Sequence, residues 1–150
     1  MIVQYGALQD IDSWMRLVQR VRWNFPGLET AAALDDHRKT VLTFMDENRA
    51  LYVKDAEKVV GVLLLSKKHN MICCLTVAPE YRRNGIASAL LEKALSELDR
   101  SRDITVTTFR VNDEKGIAPR ALYKRFGFAE EKLMIENDYP VQRFVLRGKL

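Results

Sequence analysis

The apolar residues of this chain switch between two periods. MIVQYG, at the start, reads as a short strand. From Asp10 to Trp23, apolar residues fall at Ile11, Trp14, Met15, Val18 and Val21, which form a helical stripe. Asp10 and Asp12 stand early in it and Arg16, Arg20 and Arg22 late, as the helix dipole favours. Phe25-Pro26-Gly27 breaks the helix. A second helix is predicted from Leu28 to Glu47, with Leu34, Val41, Leu42 and Met45 on one face.

The period then shortens. ALYVK, VVGVLLLS and MICCLTV are rich in apolar and β-branched residues, and only DAEK and KKHN separate them. Such connectors are too short for crossover helices, so an antiparallel meander is predicted. Pro79 ends its third strand. After Gly85 a helix follows, with Ile86, Ala87, Leu90, Leu91, Ala94, Leu95 and Leu98 on one broad face. DITVTTFRV is a fifth strand, and a helix between two strands predicts that they run parallel. PRALYKRF reads as a short helix, with Pro119 in its first turn and Gly127 at the left-handed position past its end. FAEEKLMIE and PVQRFVLRG close the chain as a hairpin around Asn137-Asp138-Tyr139. The order β-α-α-β-β-β-α-β-α-β-β implies an α/β fold with a mixed, mostly antiparallel sheet and helices on both faces. Without repeats or linkers, residues 1–150 read as one domain.

Composition adds little to this picture. Apolar residues make up 47% and charged residues 29% of the 150, an ordinary globular balance. The net charge of +4 suits a nucleic acid, an anionic membrane face or a phosphorylated small molecule, and equally a solvated basic surface. No basic strand interleaved with aromatics and no recognition-helix pattern favours nucleic acid. Cys73 and Cys74 are neighbours that would point to opposite faces of a strand, so no internal disulfide is expected. No metal-ligand spacing, no secretory leader and no run approaching the ~20 apolar residues of a membrane span is present. A soluble, cytoplasmic, metal-free protein is the expectation.

Candidate chemistry sits in RRNGIA, Arg82 to Ala87, at the head of the third helix. A helix start carries partial positive charge and unpaired N–H groups, and acids normally gather there. Here two arginines do. In one reading Asn84 caps the helix, Gly85 makes the turn and both arginines face water. In the other, Gly85 lets backbone approach a ligand, and N–H groups from Arg83 to Ala87 converge on a phosphate. Arg82 and Arg83 then add charge-assisted bonds, and a pyrophosphate offsets the positive charge. The segment is neither a P-loop nor a dinucleotide fingerprint: no Gly-Lys-Ser/Thr and no GxGxxG is present.

VAPEYRRNGIASALLEKAL resembles motif A of the GNAT superfamily of N-acetyltransferases, with Arg82-x-x-Gly85-x-Ala87 as the Arg/Gln-x-x-Gly-x-Gly/Ala core. ALYKRFGF resembles motif B of the same family. The resemblance implies a splayed GNAT fold, acetyl-CoA as donor and an amine acceptor. It implies that pyrophosphate sits on Arg82, Arg83, Asn84, Gly85, Ile86 and Ala87. The pantetheine arm would pair with main chain at Leu75, Thr76 and Val77, in a gap between that strand and the fifth. Tyr123 of motif B is implied to assist the departing thiolate. Its alternative role is core packing beside Leu122 and Phe126. Family habit leans toward a homodimer.

The chain also departs from the family. No glutamate stands on MICCLTV, so a water relay through backbone carbonyls is the expected route for the amine's proton. Gly116 and Pro119 replace the usual motif-B Asn and Ala. Asn112 is a candidate coenzyme contact, and Arg120, Lys124 and Arg125 a candidate phosphate cluster. Trp23, Phe25 and Tyr139 are expected around the acceptor, with helix packing as the alternative for Trp23 and Phe25. Glu29, Asp35, Asp36 and Asp138 read as surface acids, with a place in the acceptor cleft as the alternative; His37 and His69 read as surface groups, with a catalytic role as the alternative for His37. Acetyl transfer to a small amine, an amino acid or a peptide N-terminus is the leading expectation. A non-catalytic acyl-CoA binding module is the alternative.

Overall fold

A computed structural model describes residues 1–149. Its strands are β1 (Val3–Tyr5), β2 (Ala50–Asp55), β3 (Lys58–Ser66), β4 (Met71–Val77), β5 (Ile104–Phe109), β6 (Ala129–Glu136) and β7 (Tyr139–Leu146). Its helices are α1 (Ile11–Arg20), α2 (Ala31–Asp46), α3 (Ile86–Glu97) and α4 (Ile117–Arg125). The predicted element order holds. The first helix is shorter than its stripe implies: it ends at Arg20 and resumes as a 3-10 turn at Arg22–Asn24. Thr30 caps α2, its Oγ1 accepting the Ala33 N–H at 3.0 Å.

The strands form one sheet in the order β1-β2-β3-β4-β5-β7-β6. β1 to β4 pair antiparallel, and from β2 to β4 the short connectors require it. β7 lies between β5 and β6, antiparallel to both. The composition of the hairpin explains that choice. β7 is mostly buried and carries Val141, Phe144 and Val145, whereas β6 carries Glu130, Glu131, Lys132 and Glu136 and takes the edge. Asn137 (φ 50°) and Asp138 (φ 62°) make the two-residue turn, with both residues left-handed as a tight hairpin needs.

Two apolar layers hold the helices on the sheet. α3 and α4 cover one face, where Ile86, Leu90, Leu91, Leu122 and Tyr123 meet Leu63, Leu65 and Val77. α1 and α2 cover the other, where Trp14, Val18, Val41 and Met45 meet Tyr52, Val62 and Leu64. Asp10 is not a surface dipole charge. It is buried, and its Oδ2 accepts from the Tyr52 hydroxyl at 2.5 Å and from Lys54 Nζ at 3.1 Å. Burial raises its pKa, but those hydrogen bonds outweigh burial and hold the carboxyl below its ordinary value.

Two features of β3 and β4 shape the middle of the sheet. Cys73 is the extra residue where the β3–β4 register shifts, between the pairs Leu64–Cys74 and Leu65–Ile72. A bulge of this kind bends its strand. β4 and β5 are parallel but pair only at Met71–Thr105, and beyond that point they separate. Opposite, Gly61 of β3 lets α3 approach closely: a Cβ there would lie 2.7 Å from Ile86 Cγ2 and 3.2 Å from Leu90 Cδ1. Gly61→Val should therefore lower stability by about 1–3 kcal/mol through overpacking. Urea denaturation checks this, with an unchanged midpoint as the contrary result.

Candidate active site

The segment that joins β4 to α3 is built from short-range constraints. Pro79–Tyr81 forms a 3-10 turn, Arg82 is extended, and Arg83 (φ 66°) and Gly85 (φ 76°) are left-handed. A left-handed arginine costs about 1–3 kcal/mol unless its surroundings hold it. Gly85, not Asn84, occupies the N-cap position, and no side chain caps α3. Asn84 turns backward, its Nδ2 donating to the Tyr81 carbonyl at 3.1 Å. The capping role open to Asn84 is thus not taken, and the first N–H groups of α3 keep their unpaired character. A Cβ on Gly85 would meet nothing within 4 Å, so the space outside the turn is open. Arg82, Arg83 and Asn84 are exposed, Ile86 is buried and Ala87 half-buried. The chemistry of this donor set fits a phosphate group: cationic side chains beside uncapped amides and open space.

Leu75, Thr76 and Val77 pair on one side with Leu63, Val62 and Gly61. On the other side β5 has already diverged. Main-chain groups of β4 that face β5 beyond Met71 therefore have no strand partner there. The open edge runs toward the Arg82–Ala87 turn.

Tyr123 is 4% exposed and packs against Phe128 and Phe144, at ring-centroid distances of 5.6 and 6.1 Å. It shares this core with Leu75 and Val77 of β4. Burial first, and nearby Cys74 second, push the phenol's pKa up, so it stays protonated through neutral and mildly alkaline pH. The packing role and the proton-donor role are compatible in one side chain. Burial pushes the Cys74 thiol up to about 12, and Cys73, although exposed at the bulge, is also raised by desolvation, so neither is a ready nucleophile.

The positive cluster on α4 is corrected by its neighbours. Arg120 is buried, and its guanidinium donates to the Phe109 carbonyl at 3.0 Å, to Gln142 Oε1 at 2.8 Å and to Glu130 Oε1 at 2.7 Å. Lys124 also reaches Glu130, at 2.7 Å. Glu130 lies just beyond the acid-free stretch from Gly116 to Phe128, on the adjacent strand. Arg120 and Lys124 are therefore spent on tying α4 to β6 and β7. Arg125 is exposed.

Gly116 has a reason to differ from the family's asparagine. A Cβ there would stand 3.0 Å from Arg120 Cδ, 3.1 Å from the Arg110 carbonyl oxygen and 3.2 Å from Phe109 Cβ. Arg110, a role no motif revealed, ties β5 to the hairpin by donating to the Val141 and Met134 carbonyls at 3.1 and 3.0 Å. Asn112 is exposed in the turn after β5. Among the described residues no hydrogen bond joins it to the Arg82–Ala87 turn.

The predicted acceptor walls do meet. Asn137 Nδ2, at the hairpin tip, donates to the Pro26 carbonyl at 3.0 Å. Phe25 is half-buried beside His37, at 6.1 Å between ring centroids, while Trp23 is 53% exposed and packs little. His37 is more enclosed than a surface group: burial lowers its pKa and keeps the imidazole neutral. Tyr139 serves the next loop, its hydroxyl donating to Asp113 Oδ2 at 2.6 Å beneath Lys115. Glu29 accepts the Gly27 N–H at 3.0 Å, and Asp35 pairs with Lys39 at 3.5 Å. Asp36, His69 and Asp138 are exposed.

Known proteins now bear on this arrangement. Residues 28–139 match the model of the acetyltransferase (GNAT) domain family. The chain belongs to the GNAT acetyltransferase family. No curated protein matches it in sequence. Among solved structures it resembles a GNAT-family acetyltransferase from Bacillus cereus ATCC 10987, at 21% identity and TM-score 0.72, over 99% of this chain and 97% of that one. An N-acetyltransferase from Staphylococcus aureus Mu50 superposes at TM-score 0.77 and 16% identity, over 97% and 100%. The PaiA N-acetyltransferase from Thermoplasma acidophilum, solved in complex with coenzyme A, does so at TM-score 0.67 and 13% identity, over 94% and 96%. At these identities the likeness is one of fold, and the splayed, mostly antiparallel sheet is the GNAT sheet. Among the described residues no helix is long and apolar enough to cross a membrane.

The crowding at Gly116 yields a test. Gly116→Asn, which restores the family's commoner residue, should destabilise this chain by about 1–3 kcal/mol. Thermal melting checks it, and a neutral or raised melting temperature would contradict the crowding.

Proposed function

We propose that the protein transfers an acetyl group from acetyl-CoA to a primary amine by direct attack. The acceptor class is a small amine, an amino acid or a peptide N-terminus. One observation carries the reading: β4 and β5 pair at Met71–Thr105 and then part, which leaves an unpaired strand edge leading to the uncapped start of α3, with Tyr123 in the core that Leu75 and Val77 share. Family membership supports acetyl-CoA as the donor.

In this reading the amides from Arg83 to Ala87 and the Arg82 and Arg83 side chains hold the pyrophosphate. Main chain at Leu75, Thr76 and Val77 aligns the pantetheine arm. The amine nitrogen attacks the thioester carbonyl; a C–N bond forms and the C–S bond breaks. An N–H near Val77 polarises the carbonyl oxygen. Tyr123 donates a hydrogen bond or its proton to the departing sulfur. The ammonium proton leaves through water held by backbone carbonyls, because β4 carries no carboxylate. Asn112 is retained as a candidate contact to the coenzyme, reached from the turn after β5. Reaction in the cytoplasm, and a homodimeric state to be tested by solution mass, belong to the same proposal.

Tyr123→Phe should lower kcat by about 10- to 100-fold on a responsive amine and leave the KM for acetyl-CoA nearly unchanged. Because burial raises the phenol's pKa, the wild-type rate should show no alkaline loss from Tyr123 ionisation below pH 10. Thiol release measured across amines and pH checks both statements. Donor binding with no turnover on any amine, and no effect of Tyr123→Phe, would favour the non-catalytic binding module. Arg82→Glu and Arg83→Glu should each weaken coenzyme A binding in calorimetry by about tenfold, with little change in melting temperature. Unchanged affinity in both would remove the phosphate role.

A further inference from the structure

The Arg82–Ala87 turn is strained, exposed and uncapped, yet it adopts a defined shape. What holds it lies on α1. Glu80, two residues before the turn, receives two bonds from Arg20 at the end of α1, Nη1 to Oε1 at 2.9 Å and Nη2 to Oε2 at 2.8 Å. Lys58 Nζ donates to the same Oε1 at 3.4 Å. The next residue, Tyr81, donates its hydroxyl to Asp55, and its carbonyl accepts from Asn84. The chain from Pro79 to Asn84 is thus gripped by α1 and by the β2–β3 turn. These groups border a cleft of about 740 Å³ lined also by Ser13 and Arg16. The left-handed Arg83 follows directly. A parallel pair of bonds from a planar guanidinium fixes direction as well as distance, which a lone lysine contact does not.

We propose that Arg20 is a positioning residue for the donor site, acting through Glu80 to hold the amides of the Arg82–Ala87 turn in their binding geometry. The proposal rests on the phosphate reading of that turn, and its effect is felt in donor binding and not in the chemical step. Arg20 itself touches neither substrate nor the reacting atoms. Side chains on α1, the acceptor-side helix, thereby set the affinity of the donor.

The test compares wild type, Arg20→Ala, Arg20→Lys and the control Arg16→Ala, which lies on the same helix and in the same cleft. Two quantities are read: the coenzyme A dissociation constant by calorimetry, and amide hydrogen exchange without ligand. Arg20→Ala should raise the dissociation constant by about three- to fivefold, the scale of a partly exposed ion pair. It should also speed exchange at Tyr81, Arg82 and Ala89, whose N–H groups are bonded to the Ala78, Pro79 and Gly85 carbonyls. Arg20→Lys should fall between, and Arg16→Ala should match wild type in both. Where turnover is available, the KM for acetyl-CoA should rise with kcat held. Unchanged exchange in Arg20→Ala overturns the proposal, and so does faster exchange with unchanged affinity. A lower melting temperature alone would mean a merely structural pair. Wild type that binds no coenzyme A would remove the phosphate reading, and this proposal with it; that failure is distinguishable because it appears before any substitution is made.

Discussion

The single pairing between β4 and β5 is the constraint on which the rest of the structure depends. Two parallel strands in one sheet normally satisfy each other along their length. Here β3 holds β4 from Gly61 to Ser66, β7 holds β5 from Ile104 to Phe109, and the two halves pair only at Met71–Thr105. The bulge at Cys73 bends β4 just past that contact. What results is a sheet with an edge in its interior. Unpaired main-chain groups there seek water or a ligand, and an extended amide-bearing arm is the chemistry that answers them.

The α3 end of that edge and the core around Tyr123 are made by different means. At the α3 end, local geometry does the work. Gly85 supplies a left-handed residue, Asn84 turns away from the cap, and Gly61 allows Ile86 and Leu90 down onto β3. The helix start is therefore close to the strand end and open outward. Around Tyr123, packing does the work. Phe128 and Phe144 enclose the ring, and burial raises its pKa so that it remains an acid. The ring thus sits as a neutral phenol in the core that Leu75 and Val77 of β4 also enter.

Electrostatics divides along the same line. Cations on α4 are consumed internally: Arg120 and Lys124 converge on Glu130 and lock the helix to the last hairpin. Cations before α3 point outward. Glu80, which follows β4, has its pKa held down to about 2, first by the Arg20 hydrogen bonds. It therefore stays ionised across the pH range in which proteins of this size are usually stable. Arg82 and Arg83 are exposed cations, whereas Arg120 is a buried one.

How much of this was legible beforehand follows from the range of each interaction. Hydrophobic period determined the order of elements, and connector length the antiparallel meander and the parallel β4–β5 relation, because these depend on neighbours in sequence. RRNGIA and ALYKRFGF likewise carried the family, since each motif is a run of consecutive residues. Tertiary structure decided what depends on distant partners. β7 took the inner position because β6 is charged. Asp10 became a buried acid because Tyr52 and Lys54 arrive from β2, and Arg120 lost its apparent freedom to Glu130. Arg20 found Glu80 across 60 residues. Periodicity reports which face of an element is buried, but not which polar group of another element stands opposite it. That pairing is settled only when the sheet and its helices are assembled.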